Sequence, residues 1–146
     1  MIIVDDNSSD NSFEIVDRYK KKDRRIKLYK NPGNGIIEAL RFAFKKSNGE
    51  YVTRMDSDDI MLSDKLEILI NNLKSNGKKY VAIGLVQYFR SDGISEGYDK
   101  YEKWLNGLTK QGNNFSEIYK ECVIPSPCWM MHRDDLERCK QFIKQV

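Results

Sequence analysis

The sequence predicts an α/β fold, a mostly parallel sheet flanked by helices, on three observations. Short apolar runs alternate with segments of helical periodicity between Met1 and Phe89, the pattern of parallel strands joined by right-handed crossovers. Two of those runs end in acidic clusters, Asp5-Asp6 after Ile2-Ile3-Val4 and Asp56-Ser57-Asp58-Asp59 after Tyr51 to Met55. The length, 146 residues, suits one domain able to bury a core.

The elements follow in order. Met1 to Val4 is an apolar run that reads as a buried strand, and Asn7-Ser8-Ser9-Asp10 offers N-caps for a helix with Phe13, Val16 and Tyr19 on one face. A short strand at Ile26 to Tyr29 leads into the turn Asn31-Pro32-Gly33-Asn34-Gly35. The apolar-rich helix from about Ile36 to Lys46 then ends at Asn48-Gly49, a left-handed C-cap signal. Tyr51 to Met55 is the next strand. Ser63, Glu67 and the spacing of Leu66, Leu69, Ile70 and Leu73 mark a helix stopped by Asn76-Gly77, followed by a strand from Tyr80 to Phe89. Beyond Ser91 come a Gly-containing loop, an aromatic segment around Tyr98, Tyr101 and Trp104, and a helix at Phe115 to Lys120. Pro125-Ser126-Pro127 introduces a strand from Cys128 to His132, since proline biases the residue before it away from helix, and a last helix runs from Asp134 to Phe142.

Composition removes several classes of function. A net charge of +3 is too small to imply nucleic-acid binding. The local basic run Lys20-Lys21-Lys22 with Arg24-Arg25 reads as a solvated helix end, its functional alternative being contact with anionic lipid or a phosphorylated substrate. Cys122, Cys128 and Cys139 are odd in number, without Cys-x-x-Cys spacing and with only His132 nearby, which argues against zinc and against a disulfide framework. No signal peptide and no apolar run near 20 residues is evident, so a cytoplasmic location is expected, with peripheral attachment at the inner face of the membrane left open.

The acids carry the chemistry. Two carboxylates about 5 Å apart repel by roughly 3 kcal/mol at an effective dielectric near 20, so several in one place call for a cation or strong donors. Oxygen-only ligands favour Mg²⁺, Mn²⁺ or Ca²⁺. If both acid-terminated strands belong to one parallel sheet, their clusters meet at its carboxyl edge, where open α/β sheets bind ligands. The competing explanation is that such acids cap helices and line solvated turns, the better account of Asp10 and Asp64. One cap does not require three acids, however, and Asp56, Asp58 and Asp59 exceed it.

Taken together, Ile2-Ile3-Val4-Asp5-Asp6-Asn7-Ser8-Ser9-Asp10, Gly35-Ile36-Ile37-Glu38-Ala39-Leu40, and Gly49-Glu50-Tyr51-Val52 leading into Asp56-Ser57-Asp58-Asp59 resemble successive motifs of family 2 glycosyltransferases of the GT-A fold. The similarity is firmest from Ile2 to about Leu73 and continues more weakly through Tyr101 to Asn106 and Pro125 to Leu136. It implies a Rossmann-like sheet and an inverting transfer from a nucleotide-sugar, most simply a UDP-sugar, to a saccharide or lipid-linked acceptor. It also implies Mn²⁺ or Mg²⁺, with Asp58 as direct ligand, Asp56 at the ribose and metal, and Asp59 supporting the loop. Asp6 would accept a hydrogen bond from the uracil N3–H, and Asp5 would lie near the ribose. Residues 1–90 would form the donor and metal part of a single partial domain, and 91–146 part of the acceptor side.

The chain departs from the family in two places. The family's usual first strand, which lies between the strands ending here at Asp5-Asp6 and at Asp56, has no counterpart. A natural truncation, a gene-model error at either end, and a strand supplied by a partner chain all account for that gap, the last of which would make the protein an oligomer. The family's general base follows the segment resembling Pro125 to Leu136 and is expected beyond Val146, so no catalytic base is named; Asp134, Asp135 and Glu137 read as a helix's first turn.

Two other classes use the same acids. In a response-regulator receiver Asp56 would be the phosphorylated residue, yet the Met-Pro and Lys-Pro turns of that family are absent. A non-catalytic nucleotide-sugar-binding module fits the lack of a base. Among single residues, Trp104 is a candidate for acceptor contact and Trp129 for the core. His132 is a weaker acceptor-side candidate, since catalysis by it needs a partner acid, and a structural role suits it better. Arg54 is placed either to hold the acidic loop or to face solvent.

Overall fold

The computed structural model describes residues 1–139, which form two compact units. The first comprises Met1–Gly49 with residues 137–139, the second Glu50–Leu136.

In the first unit β1 (Ile2–Asp5) and β2 (Lys27–Lys30) pair in parallel, from Ile2 opposite Lys27 to Asp5 opposite Lys30. Parallel neighbours need a crossover, supplied by α1 (Ser12–Lys22), which packs against β2. Asp10 accepts the Ser12 N–H at 3.0 Å and so supports the start of α1, while the N-cap position itself falls at Asn11, whose side chain makes no capping bond. Most of the basic run is occupied locally. Lys21 pairs with Asp17 at 2.7 Å, and Arg25 clasps Asp23 at 2.7 Å, whose carboxyl that guanidinium lowers to about 2. α2 (Ile36–Lys46) packs on β1, with Phe42 edge-on to Tyr29 at 5.6 Å. Its end differs from expectation. Ser47 turns extended, its N–H reaching the Ala43 carbonyl and its hydroxyl the Phe44 carbonyl, so those late carbonyls are met before the left-handed cap expected at Asn48-Gly49 is required.

The second unit is a three-stranded sheet in the order β3 (Tyr51–Thr53), β5 (Trp129–His132), β4 (Val81–Ile83). Both outer strands pair antiparallel with β5 and therefore run parallel to each other. The helix α3 (Lys65–Asn76) covers β4 and β5, and Leu69 and Leu73 close with Ala82 and Met130 into the core, flanked by Tyr51 and Ile70. Gly77, at φ +79°, stops α3 with its N–H on the Leu73 carbonyl, as the sequence predicts.

The strand expected from Tyr80 to Phe89 is only three residues long. Beyond Gly84, whose N–H bonds the Cys128 carbonyl at 2.6 Å, the backbone turns to side chains of α4 (Glu96–Gln111). The Asn106 amide accepts from Val86 N–H at 2.9 Å and donates to the Val86 carbonyl at 2.7 Å, while Glu102 accepts from Tyr88 N–H at 2.7 Å. α4 was foreshadowed only as an aromatic segment. Ser95 opens it by accepting the Tyr98 N–H, Gly112 at φ +65° closes it, and Leu105 is its buried anchor. In place of a helix from Phe115 to Lys120 there is a short 3-10 turn at Asn114–Glu117, pinned because the buried Asn114 amide donates to Thr109 Oγ1 and the Val123 carbonyl, each at 2.9 Å. A second 3-10 turn, Ser126–Cys128, delivers the chain to β5. α5 (Arg133–Arg138) begins the predicted last helix, whose remainder beyond residue 139 lies outside the described residues.

The α/β class, with a parallel ladder and flanking helices, is thus as the alternation implies. The described strands form two ladders rather than one, with β1 bonded to β2 alone and β3 to β5 alone. No helix among the described residues is long and apolar enough to cross a membrane.

Candidate functional site

At the carboxyl end of the first ladder, Asp5, Asp6 and Asn31 sit side by side because β1 and β2 are parallel and in register. Asn31 N–H continues the ladder by donating to the Asp5 carbonyl at 2.7 Å. The Asn31 side chain, 8% exposed, then ties the turn together: Nδ2 donates to Asp6 Oδ1 at 2.7 Å and to the Gly35 carbonyl at 3.3 Å, and Oδ1 accepts from Gly33 N–H at 3.1 Å. Gly35 N–H also donates to Asp6 Oδ1, at 3.2 Å. That N–H is aimed by a φ of +84°, open to glycine without strain. Asp6 Oδ2 has no partner among the described residues, and Asp6 is exposed. Asp5 makes a long contact, 3.4 Å, with Ser8 N–H.

In the second unit the acidic loop leaves β3. Thr53 anchors its start through a 2.6 Å bond from Oγ1 to the Trp129 carbonyl. Arg54 takes the loop-holding role: its Nε donates to Asp56 Oδ1 at 2.7 Å, fixing the half-buried Asp56 by a charge-assisted bond. Asp59 N–H closes a turn onto the Asp56 carbonyl at 3.3 Å. Asp58, at the exposed tip of that turn, makes no hydrogen bond or ion pair with the described residues. Lys65, the first residue of α3, reaches the Pro127 carbonyl and lies 3.8 Å from Met55 Sδ, placing a half-buried cation behind the loop. Burial pushes the neighbouring Cys128 thiol up, an effect opposed by Lys65 and reinforced by Asp59.

Among the described residues no three His, Cys, Asp or Glu side chains form a ready-made metal cage. Mg²⁺ and similar ions are commonly held by one or two carboxylates plus substrate phosphates, so the donor set here, Asp58 with Asp56 beside it, fits a hard divalent ion of that kind.

The acceptor-side candidates are placed differently. Trp104 is half-buried on α4 and tilts against Tyr101 at 5.5 Å, within a cluster that continues to Tyr88 and Tyr98. Half-buried Trp129 lies on β5. His132 is 6% exposed, tilted against Tyr51 at 4.7 Å, with neither ring nitrogen hydrogen-bonded and Glu50 Oε1 3.9 Å from Nδ1. That is a core position, matching the structural reading of this residue. Asp135, also buried, accepts the Lys79 N–H at 2.6 Å and so fixes the turn before β4. It stands in the first turn of α5, where the sequence places it.

Sequence reasoning missed Asn31 and Lys65 as site residues. Asn31 stands before Pro32-Gly33 and is absorbed into the turn signal, and Lys65 carries no distinguishing signal in the sequence. The receiver reading of Asp56 fails on topology, since that fold is doubly wound and parallel whereas β5 runs antiparallel between β3 and β4.

Comparison with known proteins bears on the family to which the chain belongs. Glycosyl transferase family 2 matches the sequence over residues 1–140. An uncharacterized glycosyltransferase of Rickettsia bellii is 31% identical over 130 residues, covering 89% of this chain and 18% of the relative. Glycosyltransferase GlyG of Streptococcus pneumoniae is 34% identical over 94 residues, 64% of this chain and 31% of the relative. The cholesterol galactosyltransferase of Borreliella burgdorferi is 33% identical over 89 residues, 61% of this chain and 25% of the relative. The chain therefore spans less than a third of the length of each of these relatives. With nearly its whole length matched, and with acids closing β1 and following β3, the chain belongs to glycosyl transferase family 2.

Proposed function

We propose that this chain carries the donor-binding part of an inverting glycosyltransferase that uses a nucleotide-diphosphate sugar, most simply a UDP-sugar, with Mn²⁺ or Mg²⁺. The observation that carries the reading is the loop after β3, where Arg54 holds Asp56 and leaves Asp58 exposed and without a protein partner. An unpaired carboxylate beside a fixed one is a suitable ligand for an ion that a diphosphate completes.

Each residue then has a task. Asp58 is the direct metal ligand, and Asp56 orients toward ribose and metal while Arg54 keeps its other oxygen occupied. Asp6 offers its uncommitted Oδ2 to the nucleobase N3–H, and Asp5 lies near the ribose. When bound, the ion neutralises negative charge developing on the leaving diphosphate. The acceptor hydroxyl attacks the anomeric carbon from the face opposite that diphosphate, which inverts the configuration. Trp104 is the acceptor-side aromatic of this scheme, offering a ring face to a sugar. The acceptor is a saccharide or a lipid-linked saccharide, and one relative carries a sterol acceptor in its name.

Asp58→Ala tests the assignment. The expected result is a loss of UDP affinity in Mn²⁺ of about 100-fold, or ~2.7 kcal/mol, with the metal-independent component retained. Equal affinity of parent and variant in Mn²⁺ contradicts it.

A further inference from the structure

We propose that Asn31 is a positioning residue for nucleobase selection: it holds the Asp6 carboxylate so that one oxygen is spent within the protein and the other accepts an imide N–H. The proposal rests on the reading of Asp6 as the nucleobase partner and goes beyond it by naming what aims that carboxylate and which bases the arrangement admits.

The geometry is specific. An exposed aspartate on a loop normally rotates about χ2 and presents either oxygen. Here two donors, Asn31 Nδ2 at 2.7 Å and Gly35 N–H at 3.2 Å, converge on the same oxygen, Oδ1. Bonds to a carboxylate are charge-assisted, so the pair fixes the plane of the group and leaves Oδ2 as a directed acceptor. The clamp is itself rigid. Asn31 is 8% exposed, its Oδ1 is engaged by Gly33 N–H, its Nδ2 also donates to the Gly35 carbonyl, and its backbone N–H extends the ladder to Asp5. Only an amide does this work. Aspartate at position 31 has no donor and would set a second carboxylate against Asp6, and alanine leaves Asp6 Oδ1 with Gly35 N–H alone.

A fixed, ionised acceptor discriminates by chemistry. Uracil presents N3–H and is bound, whereas cytosine presents a lone pair at N3 and meets the carboxylate acceptor to acceptor. A carboxylate free to rotate away is more permissive, so losing the clamp costs selectivity before it costs binding.

The test is titration of the full chain with UDP and with CDP in Mn²⁺, comparing parent with Asn31→Ala, alongside amide spectra of the ¹⁵N-labelled parent. The parent is expected to prefer UDP by at least about tenfold and the variant by less than about threefold, with binding still Mn²⁺-dependent in both. In the parent, the Asn31 side-chain amide signals shift on adding UDP and shift less with CDP. A merely structural role weakens both nucleotides equally and leaves the ratio alone; that result overturns the proposal while the donor reading stands. Should the variant fail to fold, the parent spectra decide, and equal or absent responses of the Asn31 amide to the two nucleotides overturn it. A parent that binds neither nucleotide overturns the donor reading and this inference with it.

Discussion

Asp56 and Asp58 are two residues apart and stand differently in the loop, because one has a partner and the other does not. The Arg54 guanidinium converts Asp56 from a mobile acid into a fixed one, and Asp58 keeps its full capacity for an external ligand. Both stand out in the sequence as candidates, since like charges crowded after an apolar strand demand a counter-charge. The partner of Asp6 was not. Asn31 contacts it across 25 positions of sequence, and nothing in the local string separates an asparagine that closes a turn from one that clamps a carboxylate. Cys128 offers a separate check at this scale. Burial raises its thiol pKa and restricts access, so at pH 7.5 iodoacetamide should modify exposed Cys122 well before Cys128, by peptide mapping of the native chain. Equal rates at the two sites would mean that the packing around β5 is looser than described.

Element ends set by local chemistry were readable in part, since Ser47 ends α2 ahead of the expected Asn48-Gly49 cap, and those set by distant partners were not. The Gly77 stop of α3 and the Asp10 bond at the start of α1 belong to the first kind. β4 belongs to the second: its apolar run continues to Phe89, but the Asn106 amide occupies both backbone groups of Val86 and removes that stretch from any ladder. The same exchange explains why α4 escaped notice, since its contacts rest on Tyr101, Trp104, Asn106 and Glu102 more than on an aliphatic stripe. The α3 contact with the sheet is the opposite case, an ordinary apolar seam. Leu73 is fully buried there against Ala82 and Met130, so Leu73→Ala should lower unfolding free energy by about 2–5 kcal/mol in urea titrations with the slope unchanged. A loss under about 1 kcal/mol would place Leu73 outside the cooperative core.

At the scale of the whole chain, the family match covers residues 1–140, while the stretches aligned with the relatives make up 18%, 31% and 25% of their lengths. The described strands divide into a parallel pair and an antiparallel trio, and each ladder ends at one of the two acidic clusters that the sequence singled out. Fold class was therefore available from pattern, and the placement of those acids at the ends of strands from pattern and charge. The pairing of strands was not, because strand order depends on β5, a segment 76 positions from its Thr53 contact and without a periodic signature of its own. That the chain carries a metal-dependent donor site is tested most directly by calorimetric titration of the full chain with UDP, with and without Mn²⁺. Binding that appears or strengthens at least about tenfold with Mn²⁺ is the predicted result. Binding that is absent under both conditions, or indifferent to the metal, would contradict it.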